Sequence, residues 1–155
     1  MRLSKNFVLS EITRSNTAKR LGISNEPSKK HLANMQKLIT ELIQPMRDSI
    51  GPIRISSGYR SPQLNRAIGG SSKSQHCKGQ ALDLQFWRDG QMCNQEIYKW
   101  ILNSNLQFDQ MINEFDFAWI HISLKEKNNR NQVLEAYKDK DGDTAYKIAD
   151  IVTAL

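Results

Sequence analysis

The sequence predicts an α+β fold, with helices packed on a mostly antiparallel sheet. Three observations predict it. Apolar residues recur at steps of three and four between residues 28 and 50, whereas from residue 81 onward short segments alternate. Stretches rich in Gly, Ser, Pro and Asn separate these segments. No repeat, low-complexity tract or shift in composition divides the 155 residues, so 1–155 reads as a single domain.

In chain order, Ser10 reads as the N-cap of a short helix or turn that ends at Gly22. Leu32, Met35, Leu38, Ile39, Leu42, Met46 and Ile50 mark one face of a helix over 28–50. Pro45 is expected to bend it or split off its last turn, and Gly51-Pro52 to stop it. Residues 52–56 read as a strand. Residues 57–75 read as an ordered loop with one helical turn at 61–67, and 81–86 as a second strand. Gln95–Asn103 has the spacing of a helix with Ile97, Trp100 and Ile101 inward. Two hairpins follow, 107–114 with 117–124 and 133–137 with 144–148. The second turns across Asp139-Lys140-Asp141-Gly142-Asp143, a turn composition that lacks the phase of a calcium loop.

Composition narrows the functional classes. Hydrophobic residues make up 39% and charged residues 25%, ordinary values for a soluble globular domain. No apolar run approaches the roughly 20 residues of a membrane span, so no membrane insertion is expected. The opening residues are basic, but no apolar stretch of about 7–15 residues follows them as a secretory signal requires. The net charge of +6 suits an anionic partner. The basic residues are dispersed rather than striped with aromatics, so no nucleic acid is expected. Cys77 and Cys93 read as free thiols of a reducing compartment. His31, on the helix, reads as a surface residue.

The chemistry concentrates in Ser74-Gln75-His76-Cys77-Lys78-Gly79-Gln80-Ala81-Leu82-Asp83. A catalytic zinc takes three protein ligands and leaves a position open. His76 lies in a loop before a strand and Asp83 within it, on the face opposite Leu82, Leu84 and Phe86. In the later strand, Ile120, Ile122 and Leu124 form a core face, and Trp119, His121 and Ser123 share the other. Adjacent strands would bring Asp83 and His121 to one ion. A four-residue turn would place Glu114 opposite Trp119 and Ile112 opposite His121, with Glu114 on the His121 face. Glu114 is then the candidate proton acceptor, and Asp116, in the turn, its rival. Two nitrogens and a carboxylate also suit iron or manganese.

Ser-x-His-x-x-Gly-x-x-x-Asp followed by Trp-Ile-His resembles the zinc D-peptidases of peptidase family M15, subgroup A. Phe7–Ser15, Ile55–Pro62, Leu64–Gly70 and Phe108–Glu114 resemble further segments of that subgroup, in the same order. The resemblance covers roughly residues 5–137. It implies a fold like that of hedgehog and DD-peptidases, with one zinc per chain on His76, Asp83 and His121. It implies hydrolysis of a D-amino-acid-containing bond in peptidoglycan stem peptides, by a water that the metal activates. Related members are carboxypeptidases, dipeptidases or phage endolysins, so a D,D-carboxypeptidase or an L,D-endopeptidase is expected. Arg60 matches the family arginine that supports substrate or the developing oxyanion, or else ties down its own loop. Ser74 is expected to bond substrate or to support His76, and Trp119 to wall the cleft. Many relatives carry an acid three residues before the last histidine, where this chain has Ala118.

The expected enzyme is a monomer, made without a signal peptide, that acts at the cell wall after phage- or prophage-driven lysis. The competing reading is a non-enzymatic binding module that keeps the zinc site. It gains if neither Glu114 nor Asp116 approaches the three ligands, or if protein fills the fourth position.

Overall fold

The computed structural model describes residues 1–151. Two short helices open the chain, α1 (Leu9–Thr13) and α2 (Asn16–Leu21), in place of the single element expected behind Ser10. The cap of α1 is Val8, whose N–H donates to Glu11 Oε1 at 3.2 Å. Ser15 is extended and caps α2, its Oγ accepting from the Ala18 N–H at 3.1 Å.

The long apolar stripe forms α3 (Lys29–Leu38), a widened turn over Ile39–Ile43, and α4 (Gln44–Ile50). Pro45 sits in the first turn of α4. It has no N–H to give to the carbonyl four residues back. The widened turn, in which Gln44 N–H donates to the Ile39 carbonyl, carries the helix through that gap. Gly51 ends it at φ 110°.

Then come β1 (Arg54–Ser57), α5 (Pro62–Ala67), a single tight turn at Gln75–Lys78, and β2 (Ala81–Gln85). A small hairpin of β3 (Trp87–Arg88) and β4 (Gln91–Met92) was not expected. Its turn is Asp89-Gly90, a dipeptide suited to the positive φ values of 52° and 76° found there. After α6 (Asn94–Asn103) come β5 (Gln110–Glu114), β6 (Trp119–Ser123), β7 (Gln132–Lys138) and β8 (Thr144–Ile148).

Six strands form one sheet in the order β1-β2-β6-β5-β7-β8. Both expected hairpins are present, and the class is α+β as predicted. The β5–β7 pair is parallel, and every other pair in the sheet is antiparallel. On one face Ile55, Leu82, Leu84, Met111, Ile120 and Ile122 are buried in one core with residues of α3, α4 and α6, and α6 packs against β2 and β6. Each such side chain contributes about 1.5–3 kcal/mol on leaving water. The alternation that buries these residues turns Asp83, Ile112, Glu114 and His121 to the opposite face. His31 is half-buried rather than on the surface, its Nδ1 3.3 Å from the Tyr59 hydroxyl. No helix among the described residues is long and apolar enough to cross a membrane.

Candidate metal centre and catalytic cleft

The antiparallel register sets Asp83 directly opposite His121 on β2 and β6. On the far side of β6, Ile112 opposes His121 and Glu114 opposes Trp119, the pairing that a four-residue turn requires. That turn is left-handed at Phe115, Asp116 and Phe117, and Asn113 Oδ1 steadies it by accepting from Phe117 N–H at 2.6 Å.

His76 reaches the same point from the Gln75–Lys78 turn. Ser74 Oγ accepts from its backbone N–H at 3.2 Å, and Gly79 closes the turn at φ 70°. His76 as a whole is 2% exposed. Its Nδ1 lies 2.7 Å from the Gly58 carbonyl oxygen. A carbonyl can only accept, so Nδ1 carries the hydrogen and Nε2 presents its lone pair. A Cβ at Gly58 would collide with the Ile12 carbonyl, so the approach that aims His76 depends on glycine.

His76 Nε2 is 3.3 Å from Asp83 Oδ1, and His121 Nδ1 is 3.2 Å from the same oxygen. The three donor atoms lie within 4.8 Å of one another. Ligand atoms at zinc bond lengths and tetrahedral angles are separated by about 3.3–3.5 Å. The donor set and its spacing therefore fit zinc, with His76 Nε2, Asp83 Oδ1 and His121 Nδ1 as the atoms that could hold it. Among the described residues this group contains no fourth protein ligand. Burial lowers the His76 pKa, which favours the neutral ring a metal needs; the hydrogen bond and charge of Asp83 oppose that shift. Burial alone would raise Asp83, but hydrogen bonds and charge from His121 and His76 outweigh it and hold the carboxyl below its usual range.

The three residues lie in a cleft of about 680 Å³, which Arg60, Ser74, Glu114, Trp119, Lys125 and Tyr146 also line. Glu114 is 8% exposed. Burial pushes its carboxyl up to about 6; His121 opposes that rise and the charge of Asp83 adds to it. Asp116 is exposed in the turn and does not line the cleft. Arg60 donates from Nη1 to Asn65 Oδ1 at 3.2 Å, while its buried Nε has no partner. It thus ties its loop and lines the cleft together.

A family model described as Peptidase M15 matches residues 5–123. The chain belongs to the peptidase M15 family. Membership implies a peptide substrate. No curated protein matches the chain. The M15 match ends at the last residue of β6, so Leu134, Thr144 and Tyr146, cleft residues of β7 and β8, lie beyond it.

Sequence reasoning missed several residues that line or brace this cleft. Asp109 is fully buried, and its carboxylate accepts from Arg130 Nε at 3.0 Å and Nη2 at 2.7 Å, and from Gln75 Nε2 at 2.9 Å. Its partners lie 21 and 34 positions away in sequence, so no spacing rule connects them. Tyr146 was within reach of pattern reading, since Thr144, Tyr146 and Ile148 share a face of β8.

Proposed function

We propose that the protein is a zinc peptidase that cleaves a D-amino-acid-containing bond of peptidoglycan stem peptides. The observation that carries the reading is a His76–Asp83–His121 group spaced for zinc, with a buried carboxylate, Glu114, in the same cleft. Zinc bound there would supply a Lewis acid that polarises the scissile carbonyl and makes water nucleophilic near neutral pH.

The chain's own residues do the rest. Glu114, raised toward neutral pH by burial, accepts a proton from the attacking water and passes it to the leaving nitrogen. Asp116 is exposed in the turn and does not line the cleft, which favours Glu114 in that role. Arg60 presents positive charge to the cleft, where it supports substrate or the oxygen that gains charge. Ser74 fixes the backbone of His76, and Trp119 walls the cleft beside Glu114. The net charge of +6 favours approach to an anionic wall, which fits action at the cell wall after phage- or prophage-driven release.

The test compares wild type with His121→Ala for metal content by elemental analysis and for product masses on purified peptidoglycan. One zinc per chain, lost in the variant together with release of fragments containing D-amino acids, is the expected result. Zinc bound without turnover on any wall preparation would leave a binding module.

A further inference from the structure

The cleft is chemically lopsided along the strand direction. On the sheet face that holds Asp83 and His121, Glu114 opposes Trp119 on β6 and Ala136 on β7, and Ala136 opposes Tyr146 on β8. Phe115 packs edge-on against Trp119 at 5.5 Å between ring centroids. This end is aromatic and carries both signs of charge: Glu114 is its acid, and Lys138 Nζ lies 5.1 Å from the Phe115 ring centroid and donates to Thr144 Oγ1 at 2.8 Å.

The other end is cationic. Lys125 and Arg130, both of which line the cleft, meet Asp109 there, next to Gln110 of β5. Asp109 anchors this end. It accepts from Arg130 through Nε, Nη2 and the backbone N–H, and Lys125 Nζ stands 3.6 Å from its Oδ1. Arg130 Nη1 has no hydrogen-bond partner among the described residues. One buried carboxylate thus holds two cations, leaving a net positive charge and an unpartnered Nη1 on a residue that lines the cleft. Asp109 precedes Ile112, the residue opposite His121, by three positions, about 10 Å of extended chain. The anchor thus lies toward the start of β5, while its Oδ2 also accepts from Gln75, the neighbour of His76, at 2.9 Å.

We infer that Arg130 and Lys125, oriented by Asp109, form a carboxylate subsite. It holds an acidic group of the substrate about one to two residues from the scissile bond. The inference rests on the peptidase reading for its substrate and deepens it. The spacing along β5 between Asp109 and the residue opposite His121 suits a free carboxyl on a residue beyond the cut bond better than one on the cut bond itself.

The experiment uses a synthetic stem pentapeptide, which holds both the D,D and the L,D bonds, and versions of it with each carboxyl amidated in turn. Binding to the zinc-loaded protein is measured by calorimetry in the Glu114→Gln background, and turnover in parallel with Glu114 intact. One amidation is expected to weaken binding about tenfold, as loss of a charge-assisted contact does. Lys125→Gln should erase that difference. Arg130→Lys, which keeps a charge for Asp109 but removes the free Nη1, should do so as well, and thermal melts report whether each variant is folded. If no amidation matters, or if both variants keep the preference, the subsite is overturned, whether or not the peptide is cut. A carboxylate preference without hydrolysis by the Glu114 protein supports the subsite and sinks the peptidase reading. Hydrolysis without preference does the reverse.

Discussion

Glu114 sits between two demands. Its carboxyl is buried among groups that include the Asp83 charge, so ionising it costs free energy, yet a proton acceptor must be ionised to work. In the metal-free protein its pKa stands near 6 against an ordinary 4.5. A carboxyl raised on folding takes nothing from stability below its unfolded pKa, and its cost grows as pH rises through the folded value. Glu114→Gln should therefore stabilise the metal-free protein by about 2 kcal/mol above pH 7 and leave it unchanged below about pH 4. A bound dication would remove most of that gain. Urea unfolding at several pH values, with and without chelator, checks this. The same variant should lose about 10²- to 10⁴-fold in peptide hydrolysis, read by product release from peptidoglycan.

Among the elements, the segment from Gly58 to Gly79 does most to aim the site. Gly58 admits the Ile12 carbonyl against its Cα, and its own carbonyl fixes the tautomer of His76. Gly58→Ala should push this backbone away and weaken metal binding about 10- to 100-fold, as loss of a supporting contact to a ligand does. Competition with a fluorescent chelator measures it, and an unchanged affinity would remove Gly58 from the site's support. The strands were legible in the sequence because their apolar faces alternate. Leu82 and Leu84 against Asp83, and Ile120 and Ile122 against His121, fix which side meets the helices. The four-residue turn then set Glu114 opposite Trp119. The start of α1 and the course of the helix through Pro45 were less legible. Each depends on a competing hydrogen-bond partner, Glu11 for Val8 and the Ile39 carbonyl for Gln44, that apolar spacing does not register.

Across the whole molecule, Asp109 joins parts of the chain that composition treats as unrelated. It connects the start of β5 to the turn that carries His76 and to the segment between β6 and β7. Burial would raise its carboxyl, but hydrogen bonds from Arg130 and Gln75 bring it down to about 2. A depressed carboxyl contributes stability above its unfolded pKa, near 3.8, and loses it as pH falls toward 2. Asp109→Asn should cost about 2–3 kcal/mol at neutral pH, and the difference from wild type should close near pH 2. Acid titration of the unfolding midpoint checks it. This anchor was not legible, because the sequence shows an acid and several scattered bases but not which base folds over which acid. The parallel β5–β7 joint was hidden for a similar reason, since alternation gives a strand's face but not its neighbour.

Asp83 and His121 face each other on strands whose next residues, Leu82, Leu84, Ile120 and Ile122, fill the core. A slip of one residue between β2 and β6 would turn the candidate metal ligands inward and the leucines out to water. Core and metal centre are thus correct together or wrong together. An ion that seats there acts as a proofreader of strand alignment, rewarding only those chains whose interior has already been assembled in phase.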